Sequence, residues 1–72
     1  MKVKNLNRSS EKTKKIIKNT FAELIKENQA LKKITVSELV KRADINRSTF
    51  YNHYGSIYDV AEELEAEIIK VL

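Results

Sequence analysis

Cysteine and proline are both missing from this 72-residue chain, and Gly55 is its one glycine. Without cysteine there is no disulfide, no thiolate metal site and no cysteine nucleophile. With so little glycine and no proline, a sheet built on tight hairpin turns is not expected, and neither is a glycine-rich phosphate loop. No apolar run approaches the roughly 20 residues that a membrane-spanning helix needs. The first ten residues are basic and polar without an apolar stretch, so they do not read as a secretory signal.

What is present is charge, in quantity and unevenly placed. Lys and Arg number 14 and Asp and Glu 10, a formal net charge of +4, with 42% hydrophobic and 33% charged residues. That composition fits one small folded domain whose core is only just large enough to hold it together. Residues 1–54 hold 13 Lys/Arg against 5 Asp/Glu, whereas residues 55–72 hold Lys70 against Asp59, Glu62, Glu63, Glu65 and Glu67. A balance of +8 followed by one of −4 points to a polyanionic partner for the first part and none for the second. The competing reading is a lysine-rich surface whose only role is solvation.

Residues 1–9 show no clear apolar period and read as a flexible basic arm carrying Lys2, Lys4 and Arg8. Ser9 and Ser10 suit an N-cap. Beyond them Ile17, Phe21, Leu24 and Leu31, with Ile16 and Ile25 beside them, recur at helical spacing, which predicts a first helix over about Ser10–Asn28. Thr35-Val36-Ser37-Glu38 is a capping box, in which the Thr35 hydroxyl bonds the Glu38 amide and the Glu38 carboxylate reaches back. It opens a helix over about 35–43, carrying Val36, Leu39 and Val40, too short to be stable unless packed.

Asp44-Ile45-Asn46 then connects to a third helix over about 46–54, with Ile45 to be buried and Asn46 as its cap. Gly55 is expected to close that helix in a left-handed conformation. Ser56-Ile57-Tyr58-Asp59 repeats the capping pattern, and Val60, Leu64, Ile68 and Val71 line one face of a fourth helix over about 56–72. The expected fold class is all-α, a three-helix core with a fourth connecting helix.

Two short helices joined by a three-residue connection inside a basic segment have the geometry of a helix-turn-helix. Its second helix must project so that the first turn enters the DNA major groove while the preceding helix braces on the backbone. Arg47-Ser48-Thr49-Phe50-Tyr51-Asn52-His53-Tyr54 has the mixed chemistry for this. Phe50 can anchor the helix, and Arg47, Thr49, Tyr51, Asn52 and His53 can hydrogen-bond to phosphates or base edges. Arg47 and Tyr51 lie one turn apart, as do Ser48 and Asn52, so one face carries both pairs.

Three stretches also carry a family resemblance: Ile34-Thr35-Val36-Ser37-Glu38-Leu39-Val40, then Ala43-Asp44-Ile45-Asn46, then Arg47 to Tyr54. From about Thr13 to Ile69 the chain resembles the N-terminal DNA-binding domain of the TetR family of bacterial transcriptional repressors. The resemblance implies a homeodomain-like helix-turn-helix core that binds double-stranded DNA, with Thr35 and Ser37 facing phosphates. It implies contacts from Arg47, Ser48, Thr49, Tyr51, Asn52 and His53, with Arg47 and Ser48 reading bases and Tyr51 and His53 holding phosphates. It further implies a homodimer on a palindromic operator, a place in the bacterial cytoplasm at the nucleoid, and no cofactor. A small-molecule inducer would bind a C-terminal dimerisation domain that these residues do not include, so the chain is expected to be a fragment.

The chain departs from the family pattern at two places. Asp44 replaces the turn glycine, at a position that often requires a positive φ. Ile57 replaces a lysine that would touch phosphate, and the Lys2/Lys4/Arg8 arm is the expected substitute. At Tyr54 the family places an apolar ring, so a core role is expected there.

Each singled-out residue also has a plainer reading. His53 lacks a second ligand for a metal and a triad for catalysis, leaving a phosphate contact or a packing role. Tyr51 is expected to be exposed; Arg47 could be one more solvated charge. Glu62, Glu63, Glu65 and Glu67 read as a solvated face rather than paired acids or a calcium site, because the glycine-containing loop of such a site is missing. Lys32-Lys33 and Lys41-Arg42 read most simply as solvating. The apolar strip Leu64, Ile68, Val71 and Leu72 supports a rival function, a helical module that binds a protein partner through its last helix. Nothing in the sequence could assemble an enzyme pocket.

Overall fold

Helix α1 spans Lys2–Asn28, α2 Val36–Ala43, α3 Arg47–His53 and α4 Ile57–Val71, with a 3-10 turn at Leu31–Lys33 between the first two. The computed structural model describes the backbone of residues 2–71 and the side chains of residues 10–69, and no strand occurs among the described residues. The all-α class and the helix order therefore match the sequence pattern. The start of α1 is a correction. Residues 2–9, expected as a flexible arm, are helical and continuous with the rest of α1, so Ser10 is no cap. That stretch contains no glycine or proline to break a helix, and its lysines, leucine and arginine are good helix formers. The side chains of Lys2, Lys4, Arg8 and Ser9, and those of Val71 and Leu72, lie outside the described residues.

Each junction has a local cause. Gln29 ends α1 in the left-handed region at φ 57°, with its N–H donating to the Ile25 carbonyl at 2.7 Å. The Asn28 amide also donates back to the Leu24 carbonyl at 2.9 Å. The forward half of the capping box forms at α2: the Thr35 hydroxyl accepts from the Glu38 N–H at 3.1 Å. At the other end Asp44 takes φ 59° and ψ 48°, its N–H donates to the Lys41 carbonyl, and the Ile45 N–H donates to the Val40 carbonyl at 3.0 Å. This pair of bonds is a Schellman motif, and it turns the Ile45 side chain back against the core. The position thus does require a positive φ, and aspartate supplies it.

Asn46 occupies the cap position of α3, but its side chain makes no capping bond. Gly55 differs from expectation, for it has no positive φ and Tyr54 closes α3 in an extended conformation. What glycine gives here is room beside the Asp59 side chain. The Asp59 carboxylate accepts from the Gly55 N–H at 2.9 Å, and a Cβ on residue 55 would sit 2.7 Å from the same oxygen. The Ser56 hydroxyl completes this cap by accepting from the Asp59 N–H at 3.3 Å.

Helix α1 packs on both α2 and α4, and α2 packs on α3. The core joins Ile17, Phe21 and Leu24 of α1 with Ile34, Leu39 and Val40, then Phe50, Tyr54, Ile57 and Val60. Ile57, where the resemblance implied a lysine, is therefore a core residue. Ile25, Leu31, Val36, Ile45 and Leu64 are half-buried around it. Ile16 is 38% exposed and Ile68 60%, so the expected apolar faces of α1 and α4 are wider than the core they serve.

Replacing Asp44 by glycine removes the strain of a β-carbon in the left-handed region. We expect Asp44→Gly to raise unfolding stability by about 0.5–1 kcal/mol, seen as a higher denaturant midpoint at unchanged m-value.

Candidate nucleic-acid interface

Seven residues give α3 about two turns, and burial follows the helical period from Ser48 on, while Arg47 is exposed at the helix start. Phe50 is fully buried and Tyr54, one turn on, is 5% exposed. Arg47, Ser48, Tyr51 and Asn52 are exposed on the other side, and Thr49 and His53 lie half-buried at the boundary. The two expected pairs, Arg47 with Tyr51 and Ser48 with Asn52, thus share one solvent-facing stripe. Tyr51 is 50% exposed, and its ring stands edge-on to Phe50 at 5.3 Å between centroids, which braces it from the core side. Thr35 and Ser37 are exposed at the start of α2, the helix on which α3 packs. The Thr35 hydroxyl spends a lone pair on its cap and keeps its hydrogen for a further acceptor.

The stripe stands out by what it does not bond. Among the described residues, the side chains of Arg47, Ser48, Asn52 and His53 make no hydrogen bond or ion pair within the protein, and Arg47 is exposed. Three other cations are paired within the fold, while Lys12, Lys15, Lys26, Lys32, Lys33 and Lys41 are exposed and as unpaired as Arg47 among the described residues. The Arg42 guanidinium meets both oxygens of Glu27 at 2.5 and 2.9 Å, tying α2 to α1. Lys14 donates to Glu63 at 3.1 Å and Lys18 to Glu67 at 2.7 Å, tying α1 to α4. Lys18 also lies 3.6 Å from Glu63, and the Tyr54 hydroxyl donates to Glu63 at 2.5 Å.

These struts correct two sequence readings. Glu63 and Glu67 are not merely solvated, and Arg42 is not merely solvating. The available signal was the matching spacing: Lys14 and Lys18 are one helical turn apart, as are Glu63 and Glu67, with opposite signs.

The struts also set the ionisation of their members. The Tyr54 hydrogen bond, with help from Lys14 and Lys18, holds the Glu63 carboxyl below its ordinary range. Burial, then the bond to Glu63, pushes the Tyr54 phenol well above its own. The hydrogen bond from Arg42 lowers Glu27, and the bond to Glu67 raises Lys18.

His53 stands apart from the rest of the stripe. It shares a shallow depression with Asp59, Glu62 and Glu63 at the end of α3 away from Arg47. No group of three or more His, Cys, Asp or Glu side chains among the described residues could hold a metal ion. No helix among them is long and apolar enough to cross a membrane. On another side an apolar groove of about 380 Å³ runs between α1 and α4, lined by Phe21, Ile25, Leu31, Leu64 and Ile68 among others.

Comparison with known proteins agrees with this geometry. The family model described as "Bacterial regulatory proteins, tetR family" matches residues 21–64, which include α2 and α3 whole. A relative in Bacillus subtilis (strain 168), named "Uncharacterized HTH-type transcriptional regulator YxbF", is 31% identical over 55 residues. That alignment covers 76% of this chain but 14% of the relative, so the chain spans only a small part of that protein's length. No solved structure matches the chain.

The struts make stability depend on pH at both ends. Glu63 and Glu27 are depressed in the fold, so their contribution is complete above the ordinary glutamate value of about 4.3 and is lost as pH falls through the lower folded values. Lys18 and Tyr54 are raised, so theirs is complete below about pH 10 and is lost as pH rises through the folded values. Thermal melts followed by circular dichroism are expected to show a plateau near neutrality with a decline on each side. Glu63→Gln should flatten the acid decline.

Proposed function

The chain belongs to the tetR family of bacterial regulatory proteins, as the helix-turn-helix DNA-binding domain of a transcriptional regulator, and we propose that the exposed stripe of α3 reads base edges in duplex DNA. A regulator's binding domain is not an enzyme, and its work is done by affinity. The observation that carries the reading is the α3 stripe itself: Arg47, exposed and unpaired among the described residues, stands in the first turn of α3 beside the exposed Ser48, Tyr51 and Asn52.

Arg47 stands in the first turn of α3, where its planar fork matches the two acceptors of guanine. Ser48 and Asn52 share its stripe and supply short hydrogen-bonding groups for neighbouring edges. Thr35, Ser37, Thr49 and Tyr51 hold phosphates on either side and so fix the register of α3 in the groove. His53 contributes least, because Asp59 and Glu62 beside it oppose a phosphate. The acid-rich α4 keeps its far end away from the duplex.

In the intact protein, two such heads in a homodimer would meet a palindromic operator about one helical turn, or a multiple of it, apart. Occupying that operator in the bacterial cytoplasm, at the nucleoid, represses transcription, and an inducer bound elsewhere in the longer protein releases it. The exposed Ile68 and Ile69 are assigned to contacts with that further chain. A lone head binds weakly, since it lacks the effective concentration that a second linked head provides.

The test is titration of the 72-residue chain with duplexes it enriches from a random pool. The logarithm of the binding constant is expected to fall linearly with log salt, each phosphate contact adding about 0.9 to the slope. Arg47→Ala should cost about 1–3 kcal/mol of discrimination, concentrated at one base pair. Duplex binding indifferent to both changes would instead favour a protein-binding role for the α1–α4 groove.

A further inference from the structure

We propose that the Tyr54 hydroxyl and the Glu63 carboxylate form a latch that sets the orientation of α3, which makes both of them positioning residues for sequence discrimination. Its consequence for discrimination rests on the DNA reading above.

Helix α3 has two anchors in the core, Phe50 and Tyr54. Phe50 is held by apolar contact, which fixes depth but has little directionality. A phenylalanine at position 54 would fill the core equally well, and a hydroxyl there costs stability unless it finds a partner. It has one of unusual quality: the phenol donates to Glu63 Oε2 at 2.5 Å, a bond to a charged acceptor. The acceptor is itself held, since Glu63 Oε1 receives Lys14 Nζ at 3.1 Å and Lys18 lies 3.6 Å from Oε2. Lys14 closes the figure, its ammonium 5.5 Å from the centroid of the Tyr54 ring. Glu63, from α4, is thus where α1, α4 and the end of α3 are joined by polar bonds.

The bond reaches α3 because Tyr54 is its closing residue, with the Tyr54 N–H donating to the Phe50 carbonyl at 3.0 Å. The opposite end, held by the turn from α2 and by Ile45 against the core, has no polar side-chain bond, since the Asn46 side chain makes no cap. Arg47 therefore stands on a short rod held by packing, with the latch as the one polar side-chain bond from residues 47–54 to the rest of the protein among the described residues. A rotation of the rod by roughly 20° would move a side chain at a radius of about 6 Å by about 2 Å, enough to break a bidentate contact.

Tyr54→Phe removes the hydroxyl and keeps the ring. Two readouts are taken: the affinity ratio between a duplex enriched by the wild-type chain and a scrambled duplex of equal length at matched salt, and the backbone amide resonances of the free protein. The expected result is a fall of about tenfold in the ratio, the loss of one charge-assisted hydrogen bond, with scrambled-duplex affinity unchanged and the amides of residues 47–52 shifted. Lys14→Met, which removes an ion pair but leaves the phenol bond, should keep the ratio within about twofold.

A purely structural role would lower the melting temperature, leave the ratio intact and confine amide changes to the neighbours of Tyr54 and Glu63. That pattern overturns the latch, as does a Lys14→Met variant as impaired as Tyr54→Phe. If the wild-type chain enriches no sequence, the DNA reading fails separately and the amides of residues 47–52 alone decide whether the latch orients α3. Should Tyr54→Phe not fold, Glu63→Leu takes its place under the same criteria.

Discussion

A helix of seven residues has no stability of its own in water, because isolated helices below about 12–15 residues are marginal even with ideal sequences. Every property of α3 is therefore borrowed through Phe50, which is fully buried, and Tyr54, which nearly is. Burying those two rings turns Ser48, Tyr51 and Asn52 outward at the helical period. These three face solvent because they lie away from the anchors, whereas Arg47, three residues before Phe50, is nearer the anchors' side and is exposed as the residue that opens the helix. The candidate interface is in this sense the reverse side of the core.

A second constraint is the allocation of charge in a chain too small to afford a large core. Lys14, Lys18 and Arg42 act as struts between helices, each against a carboxylate on a different element. Exposed ion pairs contribute little singly, yet here two converge on the partly shielded Glu63, and Arg42 meets both oxygens of Glu27. The cost falls on nucleic-acid affinity, since a lysine held by a glutamate is not free to neutralise a phosphate. The basic excess of residues 1–54 thus overstates the charge that the surface can offer.

Much of the fold was legible in order along the chain. The capping residues Thr35 and Ser56, the left-handed Asp44, and the apolar periods through Phe21, Leu39 and Val60 are local features, each acting within a turn or two. The α3 stripe was legible for the same reason, since burial of Phe50 determines its neighbours. Two local readings went astray. Without a breaking residue, the start of α1 had no boundary to read before Ser10, and the helix runs back to Lys2. Gly55 looked like a left-handed closure, but its φ is not positive, and its N–H instead donates to the Asp59 carboxylate.

The amino-acid order alone determined the class of fold, the helix junctions and which side of α3 faces out, because each follows from interactions between residues a few positions apart. Only the tertiary structure decided which charges are free and which are spent. Lys14 meets Glu63, and Lys18 meets Glu67, across 49 positions of sequence, and Arg42 meets Glu27 across 15. Such pairings depend on how α1 lies against α2 and α4. That packing is set by the summed fit of the core, and no short stretch of chain contains it.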